Sequence, residues 1–250
     1  MDVLVLLGSF ALLAALGVPV AYALGLSAII GALWAEIPLE AVMIKMSDGV
    51  DEFALLAIPF FVLAGGIMAE GGMAARLILL AKVFVGFIRG GLALVNILAS
   101  TLFGAISGSS VADTASIGSV MIPQMVKQGY SRVFATNVTI CGSVQALLIP
   151  PSHNAVIYSI AAGGTVSIAS LFLAGVFPGL LFGLSLVGLV LWIARRRGFA
   201  KERAIPLREV PKIVLDALWG LVTIVIIMGG ILSGVFTPTE SAAVACIYAF

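Results

Sequence analysis

Charged residues are scarce in this 250-residue chain, and their scarcity is the first indication of its class. Only 10% of the residues are Asp, Glu, Lys or Arg, and the 13 basic residues nearly balance the 12 acidic ones. The net charge of +1 offers no basic face, so we expect no nucleic-acid partner. Hydrophobic residues make up 62% of the chain, and its mean hydropathy is +1.23. Such values lie well outside the range of soluble proteins.

Cysteine and histidine are also rare, which argues against several kinds of site. The two cysteines, Cys141 and Cys246, lie in separate apolar segments without metal-ligand spacing. They predict buried thiols and no disulfide framework. The single histidine, His153, has no evident partners for a proton relay. We therefore expect no bound cofactor.

Long apolar runs dominate the sequence. Stretches of about 20 apolar residues recur along the whole chain, which predicts an all-α polytopic integral membrane protein. Residues 3–33 predict one tilted, kinked span, with two short half-helices as the alternative. Residues 36–52 predict an amphipathic helix at the membrane surface. Further spans are predicted over 53–69, 73–88, 171–194 and 213–235.

Small and hydroxyl-bearing residues interrupt the apolar pattern between residues 104 and 123, which read GAISGSSVADTASIGSVMIP. Asp113 is the only carboxylate between Glu70 and Glu202. Backbone at membrane depth must satisfy its own hydrogen bonds, so a non-helical break is tolerated only inside protein or beside a water-filled cavity. The segment 91–123 therefore predicts a re-entrant helical hairpin whose tip lines such a cavity.

A second interruption lies at residues 147–154, LLIPPSHN. Pro150 and Pro151 each remove a backbone donor and clash with the preceding turn. We therefore expect one helix over 133–162 that is broken at the two prolines. Paired interruptions of this kind are typical of the binding site of a secondary transporter.

The distribution of basic residues predicts the orientation. The segment 195–212 is the one strongly basic loop, and the positive-inside rule places it in the cytoplasm. Counting spans backwards puts Gly163 outside, and Lys127 and Arg89 inside. This count is consistent only if the hairpin enters and leaves on the cytoplasmic side, and it places the N-terminus in the periplasm. The basic residues of the loop are Arg195, Arg196, Arg197, Lys201, Arg203, Arg208 and Lys212.

The two breaks supply groups that can bind ions. Helix ends at a break expose N–H groups with partial positive charge, which suit a substrate carboxylate, and carbonyls with partial negative charge, which suit sodium. We place sodium near Ser107, Gly108, Ser109 and Ser152. The candidate ion- and substrate-binding residues are Ser107, Gly108, Ser109, Ser110, Asp113, Pro150, Pro151, Ser152, His153 and Asn154.

Each of these candidates has a simpler structural interpretation. Small residues also allow helices to pack closely in membranes. Asp113 could simply stabilise the first turn of the second hairpin arm. His153 could be a hydrogen-bonded residue at a hydrated break, and a proton-coupling role is the alternative.

Besides a different ion-coupled anion transporter, three other functions remain open on the sequence. An intramembrane hydrolase could use Ser152 with His153, but the two are adjacent and no orienting carboxylate is evident nearby. A passive channel would also line its pore with small and polar residues. A non-transporting membrane scaffold is the third alternative.

Three motifs in order carry a family resemblance: GAISGSSVADTASIGSVMIP, LLIPPSHNAVIYS, and LFLAGVFPGLL followed by the basic loop. Together they resemble the large membrane subunit of tripartite ATP-independent periplasmic (TRAP) transporters. The resemblance implies an elevator-type permease of the bacterial inner membrane, driven by transported Na⁺. It implies organic-acid substrates such as C4-dicarboxylates or sialic-acid-like carboxylates. It also implies a small membrane subunit and a periplasmic substrate-binding protein as partners, besides membrane lipid.

Members of that family are longer and carry an inverted second half. We therefore expect residues 1–231 to hold the first repeat and the scaffold spans that follow it. Residues 232–250, beginning LSGVFTPTE, echo ALGVPVAYA near the start and are expected to begin a truncated second repeat. The chain would then be the first half of an inverted-repeat transporter, and alone it should not transport.

Overall fold

The computed structural model describes residues 1–199, 201 and 205–250, and these form two compact units, residues 1–52 and 53–250. Apart from an isolated bridge between Arg89 and Lys201, the described residues contain no β-structure. The predicted all-α class is therefore confirmed. Arg203 of the predicted basic loop lies outside the described residues.

The first unit corrects the prediction of one kinked span over residues 3–33. It contains α1 (Asp2–Ala15) and α2 (Val20–Trp34), which are separate helices. Gly17 is left-handed, with φ +80°, and Pro19 caps α2, so the chain reverses between them. A Cβ on Gly31 would lie 2.9 Å from Leu6 Cδ1, so the helices pack closely and antiparallel.

Two short helices were the alternative that the sequence left open. At 14 and 15 residues, each extends about 21–23 Å, less than the roughly 30 Å of a bilayer core. The count that placed the N-terminus in the periplasm took this run as one crossing, so that orientation stays a prediction. The predicted surface helix is α3 (Leu39–Val50), and none of its residues is buried.

The second unit begins with a 3₁₀ turn at Phe53–Leu56 and continues with nine α-helices over its described residues. Three helical segments are long and apolar enough to cross a membrane: Phe53–Glu70, Ile168–Arg197 and Val210–Leu232. This confirms the polytopic class. The helices are α4 (Ala57–Glu70), α5 (Met73–Val85), α6 (Gly91–Ser107), α7 (Ser110–Lys127), α8 (Arg132–Ala146), α9 (His153–Ala161), α10 (Ile168–Arg197), α11 (Val210–Leu232) and α12 (Pro238–Ala249).

Helix α6 lies at the centre of the second unit and is buried along nearly its whole length. A helix that is apolar on all sides requires neighbours on all sides, and α5, α7 and α8 supply most of them. Phe103 of α6 packs in one core with Leu77 of α5 and Met121 of α7. A second core, built around Phe61 and Phe172, joins α4 and α9 to the helices that follow.

The outward faces of α10 and α11 carry large apolar side chains. Phe177 is 75% exposed and Trp219 is 66% exposed. Only four of the 30 residues of α10 are buried: Phe172, Gly179, Val190 and Ala194. Exposed apolar surface on long apolar helices is typical of lipid-facing walls.

The basic segments lie together at one end of the second unit. Helix α10 extends to Arg197 and α11 begins at Val210, so both helices reach into the predicted loop of residues 195–212. Lys201 pairs with Arg89, and Phe199 lies against Tyr130 in the α7–α8 turn, with ring centroids 4.2 Å apart. The predicted orientation requires these basic segments to lie on one side of the membrane, and their proximity is consistent with that. The orientation itself stays a prediction.

Candidate functional site

The first break is a sharp reversal between α6 and α7. Helix α6 ends at Ser107, and Gly108 is left-handed with φ +62°, a conformation that favours glycine. Ser109 caps α7, because its hydroxyl accepts a hydrogen bond from the Ala112 amide at 3.3 Å. The Ser109 amide in turn donates to Ser107 Oγ at 3.4 Å. Two antiparallel helices thus meet at a tip made of small residues.

The second break lies between α8 and α9. Helix α8 ends at Ala146, and the next three residues continue as a tight turn with bonds to carbonyls three residues earlier. Pro150 and Pro151 have no N–H to continue the ladder. Helix α9 then begins at His153, with Ser152 as its extended N-cap residue.

The structure brings these two breaks together. A Cβ on Gly108 would lie 3.0 Å from His153 Nδ1 and 3.6 Å from the Pro151 carbonyl oxygen. Helix α4 covers the same tip, since a Cβ on Gly65 would lie 2.8 Å from Ser107 Cα. We call this contact between the hairpin tip and the broken helix, residues 107–110 and 150–154, the junction.

Most of the junction is shielded from solvent. Ser107 is 1% exposed and Ser152 is 4% exposed. His153 is half-buried, and its Nδ1 has no hydrogen-bond partner among the described residues. The remaining predicted residues divide by burial: Pro150 and Pro151 are buried, Ser109 and Ser110 are half-buried, and Asn154 is exposed.

Oxygen atoms dominate the polar groups of the junction. Among the described residues, no group of three His, Cys, Asp or Glu side chains could hold a metal ion. The hydroxyls of Ser107 and Ser152 and the Pro151 carbonyl are hard ligands of the kind that suit sodium. The ends of α6 and α8 present partial negative charge here, and the starts of α7 and α9 present partial positive charge.

A cavity of about 520 Å³ opens beside the second break. Its walls are mainly apolar side chains of the turn after α8 and of α10, including Leu148, Phe172 and Phe182. Ser152, Asn154 and Tyr158 add a few polar groups. Mostly apolar walls with a few polar groups are typical of small-molecule pockets.

Asp113 contacts α8, the first segment of the broken helix, and lies outside the junction. Its side chain is fully buried, and its Oδ2 accepts a hydrogen bond from Ser143 Oγ at 2.5 Å. Ser100 lies beside the same carboxyl, yet neither Ser100 Oγ nor Asp113 Oδ1 has a hydrogen-bond partner in the described part of the chain. Asp113 thus belongs to a polar layer between α6, α7 and α8, and its role stays a prediction.

The sequence analysis missed most of that polar layer. Asn96 Nδ2 donates to Thr139 Oγ1 at 2.7 Å, and both residues are fully buried. Polar residues at i and i+4 were the available signal, because Asn96 and Ser100 share one face of α6 and Thr139 and Ser143 share one face of α8.

Gln145 is a second residue that sequence reasoning did not identify. Its Oε1 accepts from Thr101 Oγ1 at 2.8 Å, and its Nε2 donates to the Gly179 carbonyl at 2.9 Å. One buried amide therefore joins α6, α8 and α10. No periodic pattern marks it, since its two partners lie on other helices.

The fold and the junction together define a multi-pass α-helical membrane protein of the secondary-transporter class, in which two broken segments meet inside the core. The family described as "Tripartite ATP-independent periplasmic transporter, DctM component" matches residues 7–250. The chain belongs to this family, which confirms the resemblance. That family consists of transporter components and not of enzymes, which argues against the hydrolase alternative.

Curated relatives agree with this assignment. The chain is 49% identical to "Uncharacterized protein YgiK" of Salmonella typhimurium over 98% of its own length and 57% of that protein. It is 45% identical to the "C4-dicarboxylate TRAP transporter large permease protein DctM" of Vibrio cholerae, over 94% of the chain and 52% of that protein. It is 43% identical to the "Sialic acid TRAP transporter large permease protein SiaM" of the same organism, over 82% and 48%. The chain spans about half the length of these relatives.

Proposed function

We propose that this chain forms one half of the transport pathway of a large TRAP permease subunit, which imports organic acids by using a sodium gradient. The observation that carries the proposal is the contact of Gly108 with Pro151 and His153. It supports a single site built from two helix breaks, in a chain whose family is a transporter family.

Opposite helix ends give the junction two kinds of binding capacity. The end of α6 at Ser107 concentrates partial negative charge and hydroxyl oxygen, which suits sodium. The start of α9 at His153 presents free amides and partial positive charge, which suits a carboxylate. Binding of the cation would favour binding of the anion, because each reduces the electrostatic cost of burying the other. Such mutual stabilisation is the basis of coupled transport.

Organic acids are the substrate class that the comparisons support. Relatives are named for C4-dicarboxylate and sialic acid, which are carboxylic acids, and one is named "Isethionate TRAP transporter permease protein DctMQ" for a sulfonate. We propose the bacterial inner membrane as the location, with a periplasmic binding protein and a small membrane subunit as partners. The periplasmic N-terminus and elevator motion belong to the same proposal.

Uptake into proteoliposomes tests the proposal. The full-length permease that carries this chain is reconstituted with its partner subunit and binding protein, and organic-acid uptake is measured with an inward sodium or potassium gradient. We expect accumulation above equilibrium with sodium alone, and its loss when the gradient is collapsed. Downhill flux that is equal with both cations would instead show a passive channel.

A further inference from the structure

A second cavity, of about 440 Å³, lies at the basic end of α10, away from the junction. Three basic and three apolar residues line it, and no acidic residue does so in the described part of the chain. The lining residues are Arg89, Arg195, Lys201, Phe87, Ile88 and Leu191. We call this cavity the basic pocket.

Close packing places two of the three cations side by side. A Cβ on Gly90 would lie 2.6 Å from the Cβ of Ala194, so only glycine lets the α5–α6 turn sit directly on the last turns of α10. Gly90 is also left-handed, with φ +76°, which suits this turn. As a result, Arg89 and Arg195 line the same wall.

The third cation, Lys201, is positioned by a backbone bridge to Arg89. Gly198, at φ +66°, ends α10 and reverses the chain. Phe199 then packs between Tyr130 and Phe134, with ring centroids 4.2 and 5.6 Å away. Lys201 follows and pairs through its backbone with Arg89.

The three cations lack an acidic partner within the part of the chain that the structure describes. None of them makes an ion pair with another described residue, whereas the neighbouring Arg196 stacks on Trp192 at 4.4 Å. All three residues are exposed, so solvent screens part of their mutual repulsion, and a bound anion relieves the rest. Arginine matches phosphate through paired N–H donors, and lysine adds a point charge.

The surroundings favour a lipid over a soluble anion. Phe87 and Leu191 give the pocket an apolar wall. A lipid acyl chain can pack against such a wall, whereas a free phosphate ion makes no apolar contact. Trp192 is 53% exposed on the last turns of α10, and exposed tryptophan near a helix end marks the level of lipid headgroups. Basic pockets between helices on the cytoplasmic side bind anionic headgroups. We propose that the basic pocket binds the phosphate headgroup of an anionic phospholipid of the cytoplasmic leaflet.

Quenching of Trp192 fluorescence tests this site in the full-length protein. The other tryptophans, including Trp34 and Trp219, are replaced by Phe, and the protein is placed in nanodiscs of phosphatidylcholine. A minor fraction of brominated phosphatidylglycerol or brominated phosphatidylcholine is then added. We expect phosphatidylglycerol to quench Trp192 at a lower mole fraction. Arg89→Gln should lower this preference about fivefold, the effect of one basic side chain near anionic lipid.

A charge-matched control separates the pocket from the general charge of the loop. Replacing Arg89, Arg195 and Lys201 together by Gln should abolish the preference, whereas Gln at Arg197, Arg208 and Lys212 should preserve it. Equal quenching by both lipids, or equal loss in the two triple variants, would overturn the proposal. Inorganic phosphate added at constant ionic strength should leave quenching unchanged, and reversal by phosphate would show a soluble-anion site instead.

Discussion

Gly108 combines two requirements at one residue, a left-handed backbone and the absence of a side chain facing His153. Gly108→Val should therefore raise the sodium requirement or abolish sodium-dependent uptake, because its Cβ would lie 3.0 Å from His153 Nδ1 and its branched side chain would crowd the junction. Ser109→Ala should have a modest effect, since it removes one cap bond and leaves backbone carbonyls in place. The measurement is initial uptake rate against sodium concentration at equal amounts of inserted protein.

Gly129 provides the matched control for that substitution. It is also left-handed, with φ +87°, but nothing lies within 4 Å of where its Cβ would be. Gly129→Val shares the backbone strain of roughly 1–2 kcal/mol without touching the junction. Similar transport losses in both valine variants would show that strain, and not contact between the breaks, causes the defect.

Ser143 is the hydrogen-bond donor that the structure gives to the buried Asp113 carboxyl. Ser143→Ala should lower the free energy of unfolding by about 1 kcal/mol, the scale of an interhelical hydrogen bond in a membrane protein. Thermal unfolding in detergent measures the change. Ser119→Ala is the control, because Ser119 is exposed and bonds only its own helix backbone. A Ser143→Ala protein as stable as the control would contradict a stabilising role.

At the scale of elements, Gln145 links three helices through one side chain. Gln145→Leu should destabilise the protein by about 2 kcal/mol, because two hydrogen bonds are lost and the Gly179 carbonyl loses its side-chain donor. Thr101→Val removes one of the same two bonds and should cost about half as much. Both values come from thermal unfolding.

The double variant Thr101→Val/Gln145→Leu distinguishes this linkage from separate packing effects. If one hydrogen bond joins the two residues, the losses in the double variant should be less than additive, although Thr101→Val also removes a bond to the Ile97 carbonyl. Fully additive losses would show that the residues act independently.

Sequence patterns located the helices because apolar periodicity and breakers are local properties. The small-residue tip and the paired prolines marked both breaks within a few residues of where helices α6 to α9 begin and end. The division of residues 3–33 was only the alternative interpretation, because Gly17 and Pro19 also fit a kink inside one helix. The left-handed Gly17 and the packing of Gly31 against Leu6 distinguish a reversal from a bend.

Contacts between distant helices were not predictable in the same way. Gly108 and His153 were both expected at breaks, but their proximity depends on how α4, α6 and α9 pack. The partners of Asp113 and Gln145 lie on other helices for the same reason. Motifs therefore identified residue types, and three-dimensional packing decided which of them meet.

At the scale of the whole molecule, the basic segments predict a sidedness that labelling can test. With Cys141 and Cys246 replaced by Ala, Thr165→Cys should react with an impermeant thiol reagent from the periplasm. Leu207→Cys should react only after the membrane is permeabilised. Both positions are exposed, so accessibility of the side chain does not limit either reaction. Labelling of both in intact cells would contradict the orientation.

The hairpin is attached to α10 at two levels, and this attachment has a mechanical consequence. Gln145 connects the middle of α6 to Gly179, and Gly90 rests on Ala194 at the root of the hairpin. Sliding the hairpin along α10 by one helical turn, about 5.4 Å, would break both attachments. The hairpin, α8 and α10 should therefore travel as one rigid body, so that any gating displacement occurs at the boundaries of that body and carries the hairpin tip with it intact.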